Sequence, residues 1–419
     1  MSLFKIVEHT LPGQHIREHP HALSGRQEGV VQLAIKQYIP LDQPTPVADN
    51  AITVIGVHGN GSLKELFEPL WEHFYEHLKK RSVPLRAIWI ADVSNQGASY
   101  VLNEKIIGDT PNWYDHSRDL LHMINHFRDE MPRPIIGVGH SMGCAQLINL
   151  AIIHPRLLST LVLYEPVIFD ENFRSVVNPA QFVANRRDLW ESRDAAEAML
   201  RKSLRKWDPR VIDRYLQFGI RPVPTRLYNK ETNRNLPDSA MTLTTTRHQE
   251  SWSYTIPNLE PESAGLDRLL LADWDPKAER PLSFGRPECW SCMRNLPYLR
   301  PSVLWVFGGR SYLSPPEAQD SKVRSTGTGA GGSGGADQGM VKKVVFEDAS
   351  HTLVFEQIDQ SAEAAAEWVQ SWFQGWLADE RLLAGYQSKR SEPGMVKASE
   401  GSLRTAMMPP LSERPKGKL

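Results

Sequence analysis

Six short runs rich in β-branched and other apolar residues recur along this chain: Ile52–Val57, Ala87–Ala91, Ile135–Val138, Thr160–Tyr164, Val303–Phe307 and Val344–Phe346. Most are separated by stretches whose apolar residues fall at helical spacing. Leu66, Leu70, Phe74 and Leu78 within Leu63–Lys80 are the clearest case, and Trp113–Asp129 and Ser361–Leu377 read likewise. A strand that is apolar on both faces must be covered on both faces, so such strands alternating with helices specify a parallel sheet with helices on either side. Two earlier runs, Leu3–His9 and Val30–Tyr38, are expected as antiparallel edge strands, which brings the sheet to eight strands. The expected fold class is therefore α/β: a mostly parallel, doubly wound, eight-stranded sheet.

The alternation stops after Phe169 and resumes only at Ser302. The expected organisation is a first core segment, 1–169, an insertion, 170–301, a second core segment, 302–385, and a disordered tail, 386–419. Within the insertion, Arg187–Lys206 and Pro209–Phe218 carry helical patterns, while Pro222–Pro257 reads as loop-rich. An insertion at this point serves as a cap over the carboxyl ends of the strands, where open α/β sheets bind ligands. The glycine-rich run within 325–339 reads as a flexible surface loop.

Lys and Arg number 48 against 49 Asp and Glu, so no overall field draws nucleic acid or an anionic membrane, and a small hydrophobic partner is expected instead. No apolar run is long enough for a transmembrane segment, and the charged start, Met1–Pro20, does not read as a secretory signal. Cys144, Cys289 and Cys292 are too few for a disulfide framework and favour a reducing compartment. Cys289 and Cys292 have no second pair or histidine partner to make a metal site, and are expected as a structural pair or free thiols.

The pentapeptide Gly139-His140-Ser141-Met142-Gly143 joins one of the apolar runs to the helical stretch Cys144–Ala151. A strand, sharp turn and helix with serine at the apex is a nucleophile elbow, and Gly139 and Gly143 stand where any side chain would collide with the neighbouring strand or helix. A serine hydroxyl is a poor nucleophile at neutral pH and needs a base, an orienting acid and an oxyanion site. His351, just beyond Val344–Phe346, is the expected base. Gly59-Asn60-Gly61 after Ile52–Val57 is the expected oxyanion loop, with the N–H groups of Asn60 and Met142 as its donors. The acid is less direct: in Gly308-Gly309-Arg310-Ser311-Tyr312-Leu313-Ser314-Pro315, Ser311 stands where a carboxylate usually follows the penultimate strand. Glu165, immediately after Thr160–Tyr164, is the expected acid, with Asp170 and Glu317 as alternatives. His73 and His77 have the spacing of an inverted zinc-protease motif, but they flank the apolar stripe of a helix already needed to cover the sheet.

With these residues assembled, the chain resembles the serine α/β-hydrolase superfamily over roughly residues 30–380. The phrases His58–Glu65, Trp113–Asp119 and Ser350–Glu356 are similar to those of fungal hydrolases of host-selective toxin biosynthesis and of peroxisomal lipase-like hydrolases. The resemblance implies an α/β-hydrolase fold with an inserted helical cap, no cofactor, no metal, and ester or thioester hydrolysis of an acyl or secondary-metabolite substrate. Acyl transfer or C–C bond cleavage by the same residues is an alternative, and a cap-gated binding protein that has lost activity is the non-enzymatic one, supported by Ser311. The terminal Gly417-Lys418-Leu419 has the small-basic-leucine shape read by the peroxisomal import receptor. A peroxisomal location is expected, with cytoplasm as the alternative.

Overall fold

Apolar residues fill both faces of the central strands, and the sheet they form organises the molecule. The computed structural model describes residues 3–170, 179–254, 286–389 and 396–409. Its strands are β1 (Phe4–Pro12), β2 (Gln32–Pro40), β3 (Ile52–Val57), β4 (Leu85–Ala91), β5 (Ile135–His140), β6 (Thr160–Tyr164), the short β7 (Leu189–Trp190), β8 (Ile220–Pro222) and β9 (Met241–Leu243), then β10 (Ser302–Gly308) and β11 (Val341–Phe346). An eight-stranded sheet runs in the order β1-β2-β4-β3-β5-β6-β10-β11, antiparallel where β2 meets β1 and β4 and parallel from β4 through β11. Every residue of β3, β5, β6 and β10 is buried, as a strand covered by helices on both faces requires. The outermost strands β1 and β11 keep exposed positions.

The helices that cover the first half of the sheet are α1 (Glu68–Lys80), α2 (Gly97–Asn103), α3 (Trp113–His126) and α4 (Met142–Ile153). Helix α1 begins later than its apolar pattern because Pro69 suits a first turn, and the preceding Lys64–Phe67 forms a 3-10 turn. Helix α3 begins where the Asn112 side chain accepts the Tyr114 N–H. Core residues Ile55, Val57, Trp89, Leu120, Leu147 and Trp305 belong to one continuous buried cluster.

Between β6 and β10 the insertion carries α5 (Pro179–Ala184), α6 (Arg193–Ser203), α7 (Pro209–Phe218), α8 (Arg247–Trp252) and α9 (Pro287–Asn295). The expected helix Arg187–Lys206 is shorter, because Leu189–Trp190 pairs as strand β7 and Ser192 caps α6 by accepting the Ala195 N–H. The stretch read as loop-rich contains β9, which pairs antiparallel with β7 and β8, and the capping box of Thr246 and Gln249 that starts α8. The insertion is thus built from helices around a three-stranded ribbon.

Beyond β10, α10 (Pro316–Ser325) precedes β11, and α11 (Leu353–Glu356) precedes the long α12 (Ile358–Ser388). The glycine-rich segment 325–339, expected to be a flexible loop, is instead a set of bonded turns. Gly327 N–H donates to Leu296 O at 2.9 Å, Gly329 N–H to Pro297 O at 2.7 Å and Ser333 N–H to Leu299 O at 2.9 Å. Gly327 and Gly334 sit at φ 74° and 97°, so here glycine serves defined left-handed turns and not chain freedom. Helix α12 extends to Ser388 where the pattern predicted an end near Leu377, and α13 (Glu400–Ala406) lies within the stretch expected to be disordered. Ser399 caps α13 by accepting the Ser402 N–H. Gly417-Lys418-Leu419 lies outside the described residues. Residues 1–370 form one compact unit that contains both the sheet and the insertion, and residues 371–419 form a second. Among the described residues no helix is long and apolar enough to cross a membrane.

Candidate active site

Ser141 links β5 to α4 at φ 56° and ψ −117°, a region that a residue with a side chain enters only when its surroundings enforce it. Its N–H donates to Tyr164 O at 2.9 Å and its carbonyl accepts from the Val167 N–H at 3.3 Å, so the neighbouring strand end pins the turn on both sides. Gly143 explains part of the motif directly: a Cβ there would lie 2.3 Å from Val57 O, at the crossing of α4 with the end of β3. The turn lifts the Ser141 hydroxyl to the carboxyl edge of the sheet.

The loop after β11 brings His351 to that edge. His351 Nε2 lies 2.9 Å from Ser141 Oγ, and His351 Nδ1 lies 3.0 Å from Glu165 Oε2. Because a carboxylate only accepts, Nδ1 carries the ring proton and Nε2 is left to accept the serine proton. The Glu165 carboxylate is fully buried, and Gly308 N–H donates to its other oxygen at 2.6 Å. The Ser311 hydroxyl also donates to Glu165 Oε2, and Ser314 approaches the same oxygen at 3.5 Å. Ser311 therefore binds the carboxylate that arrives from β6, the strand bonded to β10. Glu165 itself sits at φ 48°, a sharp bend that turns the chain as it leaves β6. Asp170 and Glu317, the alternative acids, are exposed.

Two histidines to which the sequence reading gave no role hold this arrangement. Buried His140 lies 2.9 Å from the His351 carbonyl through Nε2, so its ring N–H fixes the His351 backbone. Burial, with His351 close by, pushes its pKa down to about 3, so the ring is neutral and one tautomer serves as the donor. His58 accepts the Val93 N–H at Nε2, 3.1 Å away, and must therefore direct Nδ1–H to Gly59 O at 2.8 Å. Burial lowers its pKa as well. His58 thereby steadies the loop that carries Asn60.

Asn60 and Met142 border the same cavity as Ser141 and His351. The Asn60 side chain donates to Glu250 O at 3.0 Å and accepts from Gln96 Nε2 at 2.7 Å, which ties the loop to α8. Met142 is the first residue of α4, where backbone N–H groups lack helical partners and the helix dipole favours negative charge. The cavity measures about 230 Å³, and Trp113, Trp207, Tyr215, Tyr312 and Phe355 contribute to its walls. Trp113 Nε1 donates to Ser253 O at 3.0 Å and Trp207 Nε1 to Thr352 Oγ1 at 3.2 Å. With both indole N–H groups satisfied elsewhere, the rings offer apolar surface to whatever enters.

The remaining sequence candidates lie apart from this cavity. His73 and His77 both face Asp359 Oδ1, at 2.8 and 2.9 Å, so α1 is tied to the start of α12 by these rings. Cys144, Cys289 and Cys292 are buried free thiols. Cys292 lies 3.2 Å from the Tyr114 hydroxyl, and burial pushes its thiol up to about 12, which keeps it protonated and unreactive at neutral pH.

The profile of the Alpha/beta hydrolase family matches residues 54–368, which span the elbow serine, the acid candidate and the histidine. The chain belongs to the α/β-hydrolase family. It is 38% identical over 387 residues to the type I acyl-CoA thioesterase mpaH' of Penicillium brevicompactum, with 87% of each chain covered. It is 29% identical over 243 residues to the abhydrolase domain-containing protein ACTT2-1 of Alternaria alternata, covering 57% of this chain and 84% of that one. Among solved structures, the peroxisomal α/β-hydrolase Lpx1 of Saccharomyces cerevisiae aligns with a TM-score of 0.64 at 15% identity, over 94% of this chain and 100% of that one. That likeness concerns the fold. Membership of the family and the similarity to an acyl-CoA thioesterase over 87% of the chain make this protein a hydrolase of esters or thioesters.

Proposed function

We propose that this hydrolase cleaves an acyl-CoA thioester bearing a hydrophobic acyl group, with Ser141 as nucleophile, His351 as general base and acid, and Glu165 as the orienting carboxylate. The observation that carries the reading is the continuous line from Ser141 Oγ through the two His351 nitrogens to buried Glu165, with bonds of 2.9 and 3.0 Å, opening on an aromatic cavity. Similarity to an acyl-CoA thioesterase over 87% of the chain supports the thioester as the bond cleaved.

As the Ser141 oxygen attacks the carbonyl carbon, His351 Nε2 takes its proton, and the N–H groups of Asn60 and Met142 hold the oxyanion. The C–S bond then breaks and the thiol leaves with that proton. Water attacks the acyl-enzyme with His351 again as base, which releases the acid and restores the serine. The insertion acts as a cap that excludes bulk water and shapes the acyl site. Thiol release from a panel of acyl-CoA substrates tests the reading. Aryl and medium-chain acyl-CoA compounds are expected to turn over, and faster than the matched oxygen esters. Turnover confined to oxygen esters would replace thioesterase with esterase.

We assign the reaction to secondary metabolism, on the short phrases shared with toxin-biosynthesis hydrolases, and to the peroxisome, on Gly417-Lys418-Leu419. A fluorescent fusion at the amino end is expected in puncta that disperse into the cytosol when these three residues are removed. An unchanged distribution would refute that address.

A further inference from the structure

The acyl cavity is aromatic and aliphatic over much of its wall, yet it contains an ion pair whose carboxylate is buried and whose guanidinium is half-buried. Arg186, which follows α5, pairs with Glu250 of α8, and the two side chains retain 28% and 9% exposure. Both residues border the cavity with Ser141. Their placement is enforced from the oxyanion loop. Gly61, at φ 72°, leaves space in which a Cβ would lie 2.6 Å from Glu250 Cδ, and Asn60 Nδ2 donates to the Glu250 carbonyl at 3.0 Å. Arg186 Nε is buried without a hydrogen-bond partner. Burying an ion pair costs more than burying apolar side chains of the same volume, so a cavity meant for a plain hydrocarbon chain gains nothing from one.

The pair presents donors from a guanidinium beside an acceptor from a carboxylate, and a hydroxyl group is the small function that satisfies both at once. A carboxylate would face Glu250 and an ammonium would face Arg186, each at a repulsive cost. We propose that Arg186 and Glu250 form a specificity site for a hydroxyl or phenol on the acyl group, whose oxygen accepts from Arg186 and whose hydrogen is donated to Glu250. The inference rests on the thioesterase reading and narrows its substrates to hydroxylated acyl thioesters.

The test compares kcat/KM for octanoyl-CoA with that for its β-hydroxy, mid-chain hydroxy and ω-hydroxy derivatives, in the wild type and in Arg186→Met. At least one hydroxy isomer is expected to exceed the parent by roughly 10- to 100-fold in the wild type, the discrimination that hydrogen bonds to charged groups supply. In Arg186→Met that ratio is expected to collapse to about one. Because the CoA portion is constant, a ratio that survives while all rates fall together would make the pair a structural tie between α5 and α8 and overturn the proposal. So would a wild type that prefers the parent chain to every isomer. If Arg186→Met does not fold, Arg186→Lys and Glu250→Gln carry the same measurement, and an unmoved ratio in both is equally decisive. Failure to cleave any of the thioesters, with Ser141 still labelled by a fluorophosphonate, would reject the thioesterase reading itself and this inference with it.

Discussion

Ser141→Ala is expected to lower kcat on an acyl thioester by roughly a million-fold, the scale on which removal of an elbow nucleophile acts when base and oxyanion site are left in place. KM should change little, because the aromatic wall and the oxyanion donors are untouched. The fold should persist as well: alanine meets the same penalty at φ 56° that serine meets, and both backbone bonds that pin the turn are made by main-chain atoms. Covalent labelling by a fluorophosphonate, rapid in the wild type, should vanish in the variant. Labelling that persists in a folded Ser141→Ala protein would mean that another hydroxyl reacts, and the assignment of the nucleophile would fall with it. An intact label in the wild type without turnover of any ester or thioester would separate a reactive serine from a working hydrolase.

The fold was legible in the sequence wherever a single local constraint had to be met. Strands buried on both faces read as continuous apolar runs, and β3, β5, β6 and β10 stand where those runs predicted them. The elbow was visible because Gly143 crosses so close to Val57 O that the turn admits nothing larger. Proximity between distant groups was much less visible. Strand order alone determines that β6 lies beside β10, and hence that the end of one delivers Glu165 to the Gly308 N–H and Ser311 hydroxyl of the other. His140 acts through one bond to a backbone carbonyl and His58 through bonds to one backbone carbonyl and one backbone N–H, roles that leave no spacing to recognise. The glycine-rich segment shows the converse error. Composition suggested freedom, but the N–H groups of Gly327, Gly329 and Ser333 find acceptors at Leu296, Pro297 and Leu299, about thirty residues earlier in the chain, where no local rule could have placed them. Arg186, just after α5, and Glu250, in α8, belong to the same class.

Glu165→Gln is expected to reduce kcat by about a thousand- to ten-thousand-fold while leaving the melting temperature close to that of the wild type. Glutamine is nearly isosteric, and its carbonyl can still accept from the Gly308 N–H, so the bend after β6 keeps its support. What is lost is the charge. In the proposed mechanism the His351 ring becomes an imidazolium during attack, and a neutral amide in place of the buried Glu165 carboxylate cannot offset that charge. An amide that turns its NH2 toward Nδ1 would also favour the wrong tautomer and place the ring proton on Nε2, facing the serine it should deprotonate. The position of Ser311 supplies a second arm to the experiment. Its hydroxyl already reaches the carboxylate oxygen that contacts His351, so Ser311→Asp in the Glu165→Gln background brings a carboxylate to within one bond of the vacated role. That double variant is expected to recover roughly tenfold or more of the lost rate, whereas Ser311→Asn in the same background recovers none. Near-normal turnover in Glu165→Gln alone would remove Glu165 from the mechanism, and equal behaviour of the aspartate and asparagine double variants would show that charge at this edge of the sheet is not what the histidine needs.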